Sequence, residues 1–484
     1  MLNINQMLLG RFASLESDVL DDADLEIQAP EEGVDDTGAQ IDGENIVEGD
    51  LVEAAEETAE VDDADSEAEE LEDTSEALES FLAAAQYGRA KGGWTESVAM
   101  AYGIGLDAVL KRCGTDSSAI VPSLESFGSS RERINATASV ENRIKDALVA
   151  IWDAIKRAVN KVAAFVRRWY VKIFDGASRL RKRAEAIRKR AEGVHGTASD
   201  KKLATQTLAQ LHINKVMPTA KVIAEGIKSA TTAVTALTSS RLDKNYGTTL
   251  DSLILIISEL AETGGKGSLT GAVGRVEKLV NAKIFETDLG IALTKASADD
   301  AKRHTPVGVE GLTTEFFSSD IFPGGHRLGN YTFELVDQTD KRGLGRTFAA
   351  AMRTVSKVVV YEATNKKLEI DTTKEVKVLE PNDVVHICNE VIDFCKAVVD
   401  YKLGFETYDK KNASALGKLD GIVRKAGSKD EDDRDAAEYV RGLAQGFGSI
   451  IRNRGTSITH AINLGMGISR NALVYSVQSL AMYK

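Results

Sequence analysis

Ten large apolar residues follow one another at steps of three and four, apart from one adjacent pair, in the middle of the first half of the chain. They are Ile144, Leu148, Ile151, Trp152, Ile155, Val159, Val162, Val166, Trp169 and Ile173. This spacing places them on one face of a long α-helix. A face of that length has to be covered by other segments, so it predicts a body that is mainly helical.

The same segment is strongly basic. Residues 141–190 contain 15 Lys and Arg against 5 Asp and Glu, and end in the run "SRLRKRAEAIRKRAE". One interpretation is a bundle helix with solvated charges, and a second is a cationic membrane-surface helix whose aromatic residues are Trp152, Phe165, Trp169 and Phe174. A third is phosphate binding without sequence readout. The residues predicted to face phosphates are Arg167, Arg168, Arg179, Arg181, Lys182, Arg183, Arg188, Lys189 and Arg190.

Charge is distributed unevenly along the chain. Residues 1–125 carry 32 Asp and Glu against 5 Lys and Arg, whereas residues 126–484 carry 42 against 55. Residues 18–76 are rich in Asp, Glu and Ala and nearly free of aromatic residues, which predicts disorder. A short helix is expected to open at Thr95 and end at Gly114, and residues 115–139 are expected to form a Ser-rich linker.

Four regions follow from this pattern. They are an acidic, largely disordered segment with one helical island at 1–125, a basic helical region at 126–300, a small α+β insertion at 301–381 and a C-terminal helical region at 382–484. Helices are predicted near 203–240, 248–262, 268–298, 383–403, 433–453 and 457–482, the fourth capped by Asn382 or Asp383. The fold class is therefore mainly α with a small antiparallel sheet.

The sheet is predicted from four β-rich stretches, "YTFELVD", "SKVVVYEA", "KLEID" and "EVKVL". A turn at 371–374 could join the last two as a hairpin. An enzyme with its active site at 305–380 is an alternative that no motif supports.

Motifs for catalysis, metal or cofactor binding are not found. The glycine-rich stretch "GGKGSLTGAVG" lacks the Gly-Lys-Ser/Thr of a phosphate loop, and the six histidines form no ligand pair. Cys388 and Cys395 share an apolar helical face, which indicates core residues. We therefore predict a protein that is not an enzyme, without metal or cofactor.

A small-Leu-Glu-Ser tetrapeptide occurs three times before residue 127. The copies are "SLES" at 14–17, "ALES" at 77–80 and "SLES" at 123–126. Composition alone could produce such strings. The third copy, however, lies in the Ser-rich linker where the acidic segment meets the basic body, and exposed linkers are where proteases cut. A cut after Glu125 would leave a basic chain beginning at Ser126.

The stretch "VPSLESFGSS" resembles the maturation sites of internal head (inner-body) proteins of large tailed bacteriophages, which the prohead protease cuts after a small-x-Glu motif. "GGWTESVAMAYGIGLDAVLKRCG" and the basic helix are similar to parts of the same group. The resemblance implies that Ser123, Leu124 and Glu125 form the main processing site. It makes Ala77, Leu78 and Glu79, and Ser14, Leu15 and Glu16, secondary sites.

The resemblance also implies location and partners. We expect synthesis in the host cytoplasm and a final place inside the capsid of the virion. The expected partners are packaged double-stranded DNA, the prohead protease and capsid or inner-body proteins. The alternative is an ejected protein that acts on the host membrane through its cationic helix.

Overall fold

The computed structural model describes residues 44–112, 127–199, 201–205, 207–263, 266–281, 289–297, 312–335, 348–349, 351–353, 357–363, 370–371, 374–427 and 434–483. The helices are α1 (Glu44–Ala90), α2 (Glu96–Arg112), α3 (Ser130–Glu192), α4 (Leu208–Leu211), α5 (Ala220–Leu237), α6 (Ser240–Thr263), α7 (Lys266–Asn281), α8 (Pro381–Asp400), α9 (Lys402–Gly427) and α10 (Arg434–Leu480). The strands are β1 (Lys202–Ala204), β2 (Thr294–Lys295), β3 (Leu312–Ser318), β4 (His326–Leu335), β5 (Val358–Glu362) and β6 (Glu375–Lys377). The predicted fold class, mainly α with a small antiparallel sheet, is confirmed.

Helix α3 is the long helix that the apolar spacing predicts. All ten apolar residues of its predicted face are buried. The helix begins with a capping box, in which the Ser129 hydroxyl accepts from the backbone N–H of Glu132 and the Glu132 carboxylate accepts from the backbone N–H of Ser129. Residues 130–139, predicted to be linker, are therefore the first turns of α3.

Helix α1 lies where the sequence predicts disorder. Its 47 residues run through most of the acidic stretch 18–76, and residues 1–43 lie outside the described part. From residue 61 onward its buried apolar residues recur at steps of three and four, apart from one step of seven that spans Ser75: Val61, Ala64, Ala68, Leu71, Leu78, Leu82 and Ala85. This is the heptad spacing of packed helices. The short helix predicted after Thr95 is present as α2.

The sheets differ in part from the prediction. Strands β2, β3, β4 and β5 form one antiparallel sheet in sequence order, and the β3–β4 hairpin pairs Leu312 with Leu335 and Ser318 with Gly329. Strand β6 pairs with β1, and most of the strand predicted at 367–371 as its hairpin partner lies outside the described part. Residues 364–369 lie outside the described part. The N–H of Lys374 donates to the carbonyl of Asp371 at 3.3 Å, which is the bond that a turn at 371–374 would form.

Other helix boundaries also differ. The helix predicted near 203–240 begins only at Ala220, and β1 and the short α4 occupy the first part of that range. Glu380 is the N-cap of α8, with Pro381 in the first turn, so neither Asn382 nor Asp383 caps the helix. Helix α10 continues through the break predicted at 454–456. The predicted helix at 268–298 ends at Asn281, and β2 occupies part of its second half.

One connected cluster of buried apolar side chains extends from Val61 to Leu480. Helix α3 is at its centre, in contact with α1, α8, α9 and α10. The ring of Tyr170 stacks on that of Phe405 with centroids 3.9 Å apart, and the Trp169 indole donates to Asn463 at 3.2 Å. These contacts fix which face of α3 is left for solvent.

Candidate functional site

The basic residues at the end of α3 separate into two groups. One group lies on the solvent side within about one third of the helix circumference, because successive residues turn by about 100°. We call it the basic stripe: Arg179, Lys182, Arg183, Lys189 and Arg190, all exposed except the half-buried Arg183. Packing of the opposite face, through Leu180, Ala184, Ile187 and Ala191, holds the stripe outward.

The remaining predicted phosphate contacts are engaged within the protein. Arg167 pairs with Asp409 at 2.8 Å, and Arg168 pairs with Glu60 at 3.0 Å. Arg181 donates to Glu185 one turn later. Arg188 donates to Asn389 at 3.1 Å and lies 3.7 Å from Glu192. Arg181 and Arg188 lie on the side of α3 away from Arg190.

The aromatic residues that a membrane-surface helix would need are in the core. Trp152, Phe165, Trp169 and Phe174 are all buried, and the Arg168 guanidinium covers the Phe165 ring with its carbon 4.5 Å from the centroid. Within the described residues, no helix is both long and apolar enough to cross a bilayer. The predicted apolar face of α3 is therefore covered by other parts of the described chain.

Two of the three predicted processing sites lie outside the described residues. These are Ser14–Leu15–Glu16 and Ser123–Leu124–Glu125 with Ser126. The described chain on either side of the second site ends with α2 at Arg112 and resumes at the buried Phe127. A cut after Glu125 would therefore interrupt no described helix.

The third predicted site is inside α1. Ala77, Leu78 and Glu79 are helical, and Leu78 is 0% exposed. Glu79 is 4% exposed and accepts a hydrogen bond from Arg441 Nε at 2.7 Å. A protease requires an extended substrate, so this site is protected while α1 is folded.

Composition alone does not reveal a buried charge cluster between α1 and α10. Arg452 is 1% exposed and donates to both Asp65 and Glu72 of α1. Lys357 Nζ donates to Asp65 at 2.7 Å, and Arg353 Nε lies 3.1 Å from Glu72. The signal in the sequence is the seven-residue spacing of Asp65, Glu72 and Glu79, which puts three carboxylates beside one apolar seam.

The two carboxylates at Arg452 respond differently to burial. Burial alone would raise the pKa of Asp65, but the charges of Arg452 and Lys357 outweigh it and lower that pKa below its ordinary value. Glu72 is buried more completely, and its burial raises its pKa despite Arg452 and Arg353. Arg452 thus stabilises a cluster in which folding favours the anionic form of Asp65 and the protonated form of Glu72.

The cysteines and the glycine-rich stretch belong to the helical framework. Cys388 and Cys395 are buried on α8, as predicted, and burial raises the pKa of both thiols to about 12. Within the described part of the chain, no group of three or more His, Cys, Asp and Glu could hold a metal ion. Residues 266–274 of the glycine-rich stretch form the first turns of α7 and are not a loop between helices, and Gly264 and Gly265 are outside the description.

Comparison with known proteins gives one match. A family model described as phiKZ-like phage internal head proteins matches residues 36–467, which is most of the chain. No curated protein matches, and no solved structure matches. The matched range begins before α1 and ends within α10, so it includes both the basic stripe and the buried charge cluster.

Proposed function

Because this chain belongs to the phiKZ-like phage internal head proteins, we propose that it is made as a precursor, cut after Glu125 and packed against double-stranded DNA. As a member of that family it is a structural protein of the phage head, located inside the capsid. The resemblance inferred from the sequence is thereby confirmed. Cleavage and DNA binding are the additional steps that we propose.

The observation that carries DNA binding is the basic stripe. From Arg179 to Arg190 the stripe is about 17 Å long at 1.5 Å per residue, which corresponds to about five base pairs of duplex. Its five cations project from one rigid helix and are held outward by the buried opposite face. Contacts of this kind neutralise phosphates and read no sequence, as packaging of a whole genome requires.

The position of the Glu125 motif supports processing there. The motif lies between the end of α2 and the N-cap Ser129 of α3, so the cut separates two complete structural elements. It also separates the acidic 1–125 from the basic remainder. By contrast, the Glu79 motif is buried in α1, which makes Glu125 the better site for a first cut.

The test of processing is mass spectrometry of this protein from purified virions. We expect a mature chain that begins at Ser126. A body that still begins at Met1, or at a ragged set of positions within 18–76, would contradict the proposal. A virion that lacks the protein altogether would contradict the head location as well.

The test of DNA binding is the salt dependence of affinity for a duplex of arbitrary sequence. We expect affinity to fall steeply with salt and to be equal for two unrelated sequences. A flat salt dependence would remove DNA as the partner and leave a purely protein-packing role inside the head.

A further inference from the structure

Helix α1 lies in a groove formed by α3 and α10. Two ion pairs join α1 to α3: Glu60 with Arg168 at 3.0 Å, and Glu67 with Lys161 at 4.0 Å. Residue numbers therefore rise along α1 as they fall along α3. At the far end, Arg89 of α1 lies 3.2 Å from Glu141, which is itself fully buried. The two helices are therefore antiparallel over the whole length of these contacts.

The second wall of the groove is α10, again antiparallel to α1. Asp62 lies 2.9 Å from His460, and Glu72 accepts from Arg452 at 2.8 Å. One and two turns further along α1, Ser75 accepts from Gln445 and Glu79 from Arg441. Arg353 and Lys357, from the segment before β5, complete the basic lining. We call this lined groove the cationic groove; its cations are Lys161, Arg168, Arg353, Lys357, Arg441 and Arg452.

The groove is apolar between its charges. The seam of α1 that enters it includes Leu71, Leu78 and Leu82, each no more than 5% exposed. Helix α2 packs on α1, where the rings of Tyr102 and Phe81 meet edge to face with centroids 5.9 Å apart, and the backbone N–H of Trp94, just before α2, donates to Thr137 of α3 at 2.9 Å. A groove of this kind matches an acidic amphipathic helix in both charge and shape, because it presents cations beside an apolar strip.

We propose that the cationic groove is a receptor for an acidic amphipathic helix, and that it keeps α1 and α2 bound after the chain is cut between α2 and α3. The place of the cut rests on the proposed function. Retention itself rests only on the contacts of the folded chain. Cleavage then breaks the covalent link between α2 and α3, and leaves the ion pairs and the apolar seam of α1 intact.

Two consequences follow for maturation. The product of the first cut is a two-chain complex, in which the charge of α1 still covers the groove. The Glu79 motif also stays buried in that complex, so a cut at Glu79 can occur only after α1 leaves the groove. Removal of the acidic segment is thus a dissociation step that follows proteolysis.

The test introduces the cut independently of the phage protease. A recognition sequence for a site-specific protease is inserted after Asp116 of the full chain, and the cut protein is run on a size-exclusion column at neutral pH and about 0.15 M salt. We expect both pieces to elute together at the mass of the uncut chain. Elution of the acidic piece apart from the body, whether the body stays soluble or precipitates, would overturn the proposal.

A charge-reversal cycle tests whether the groove recognises the helix through its ion pairs. Arg441→Glu places a second carboxylate beside Glu79, and we expect the acidic piece of the cut variant to dissociate at least tenfold faster than that of the unmodified cut protein. The double variant Arg441→Glu/Glu79→Arg should restore retention. The matched control is Lys221→Glu on α5. Lys221 forms an exposed ion pair with Glu225, with a separation of 3.8 Å, and neither residue lines the groove.

The outcomes separate this inference from the proposed function. If Arg441→Glu dissociates no faster than Lys221→Glu, the ion pairs do not hold the helix and the receptor is disproved. If virions contain an uncut chain while the engineered cut leaves a stable two-chain complex, the processing proposal fails and the receptor stands.

Discussion

The guanidinium of Arg452 on α10 donates to the carboxylate of Glu72 on α1 at 2.8 Å, although 380 residues of sequence separate the two. Both side chains are buried, and Arg452 also donates to Asp65. Removing one partner from a buried ion pair costs about 3–5 kcal/mol, because the other charge is left uncompensated. The acidic N-terminal helix is therefore part of the core of this internal head protein.

The pH dependence of stability at Glu72 is our first prediction. The folded pKa of Glu72 lies above its ordinary value of 4.5, so folding favours the protonated form. This contribution to the free energy of unfolding is present at low pH and is lost as pH rises from 4.5 through the folded pKa, by at most about 1.4 kcal/mol per pH unit. Glu72→Gln, which does not titrate, should thus destabilise the protein more at pH 4.5 than at pH 7 in urea unfolding.

Asp65→Asn is the matched comparison, with the opposite sign. The folded pKa of Asp65 lies below its ordinary value of 3.8, so its contribution is present above pH 3.8 and is lost as pH falls through the folded pKa. Asp65→Asn should cost more at pH 6 than at pH 3. If the destabilisation caused by the two substitutions changes with pH in the same direction, the two carboxylates do not share Arg452 in the way described.

Packing of α1 gives the second prediction. Leu78 is fully buried, and Leu78→Ala should lower the free energy of unfolding by about 2–5 kcal/mol through lost burial and a cavity. Ser80→Ala, two residues away and exposed, should change it by less than about 0.5 kcal/mol. Urea unfolding followed by circular dichroism measures both. Equal, small effects would indicate that α1 does not pack on the body.

How far the sequence could predict α1 and α3 depends on the side chains that form each seam. Helix α3 uses large residues such as Trp169 and Ile173 at regular steps, so its buried face is visible in the sequence. Helix α1 has alanine at three of the seven seam positions, Ala64, Ala68 and Ala85, and surrounds the seam with acids. Composition then indicates disorder, because the cations that compensate those acids lie on α3 or on segments more than 250 residues away.

The candidate site was predictable as a region and not as a set of residues. Charge alone makes Arg181 and Arg190 equivalent. The packing of α8 against α3 decides that Arg188 meets Asn389, while Arg190 remains exposed. The pairing of β6 with β1 was hidden for the same reason, since Val376 and Leu203 are joined by tertiary contacts alone.

Two glycines of α10 give the third prediction. Gly465 faces the ring of Phe394 on α8 so closely that an added Cβ would overlap with it, whereas a Cβ at Gly467 would have no atom within 4 Å. Gly465→Ala should destabilise by about 1–3 kcal/mol through overpacking. Gly467→Ala should stabilise by about 0.5–1 kcal/mol, because alanine has the higher helix propensity. Thermal unfolding of both variants should show shifts of opposite sign, and shifts of one sign would contradict the close α8–α10 contact.

The basic stripe gives the last prediction, on DNA binding. Replacing Lys182 and Arg190 by Gln removes two exposed cations from one side of α3. The slope of log affinity against log salt should become shallower by about 1.8, which is about 0.9 for each lost phosphate contact.

The matched control for the stripe is Arg181→Gln/Arg188→Gln. It removes the same charge from the same helix, but from the side where these residues meet Glu185 and Asn389. The slope of this control should stay within about 0.5 of the unmodified protein if the stripe alone contacts phosphates. Fluorescence anisotropy with a labelled duplex between about 50 and 200 mM salt measures all three proteins. Equal slopes for the two double variants would show that charge density on α3, and not the stripe, determines binding; an unchanged slope in both would place the DNA contact elsewhere on the protein.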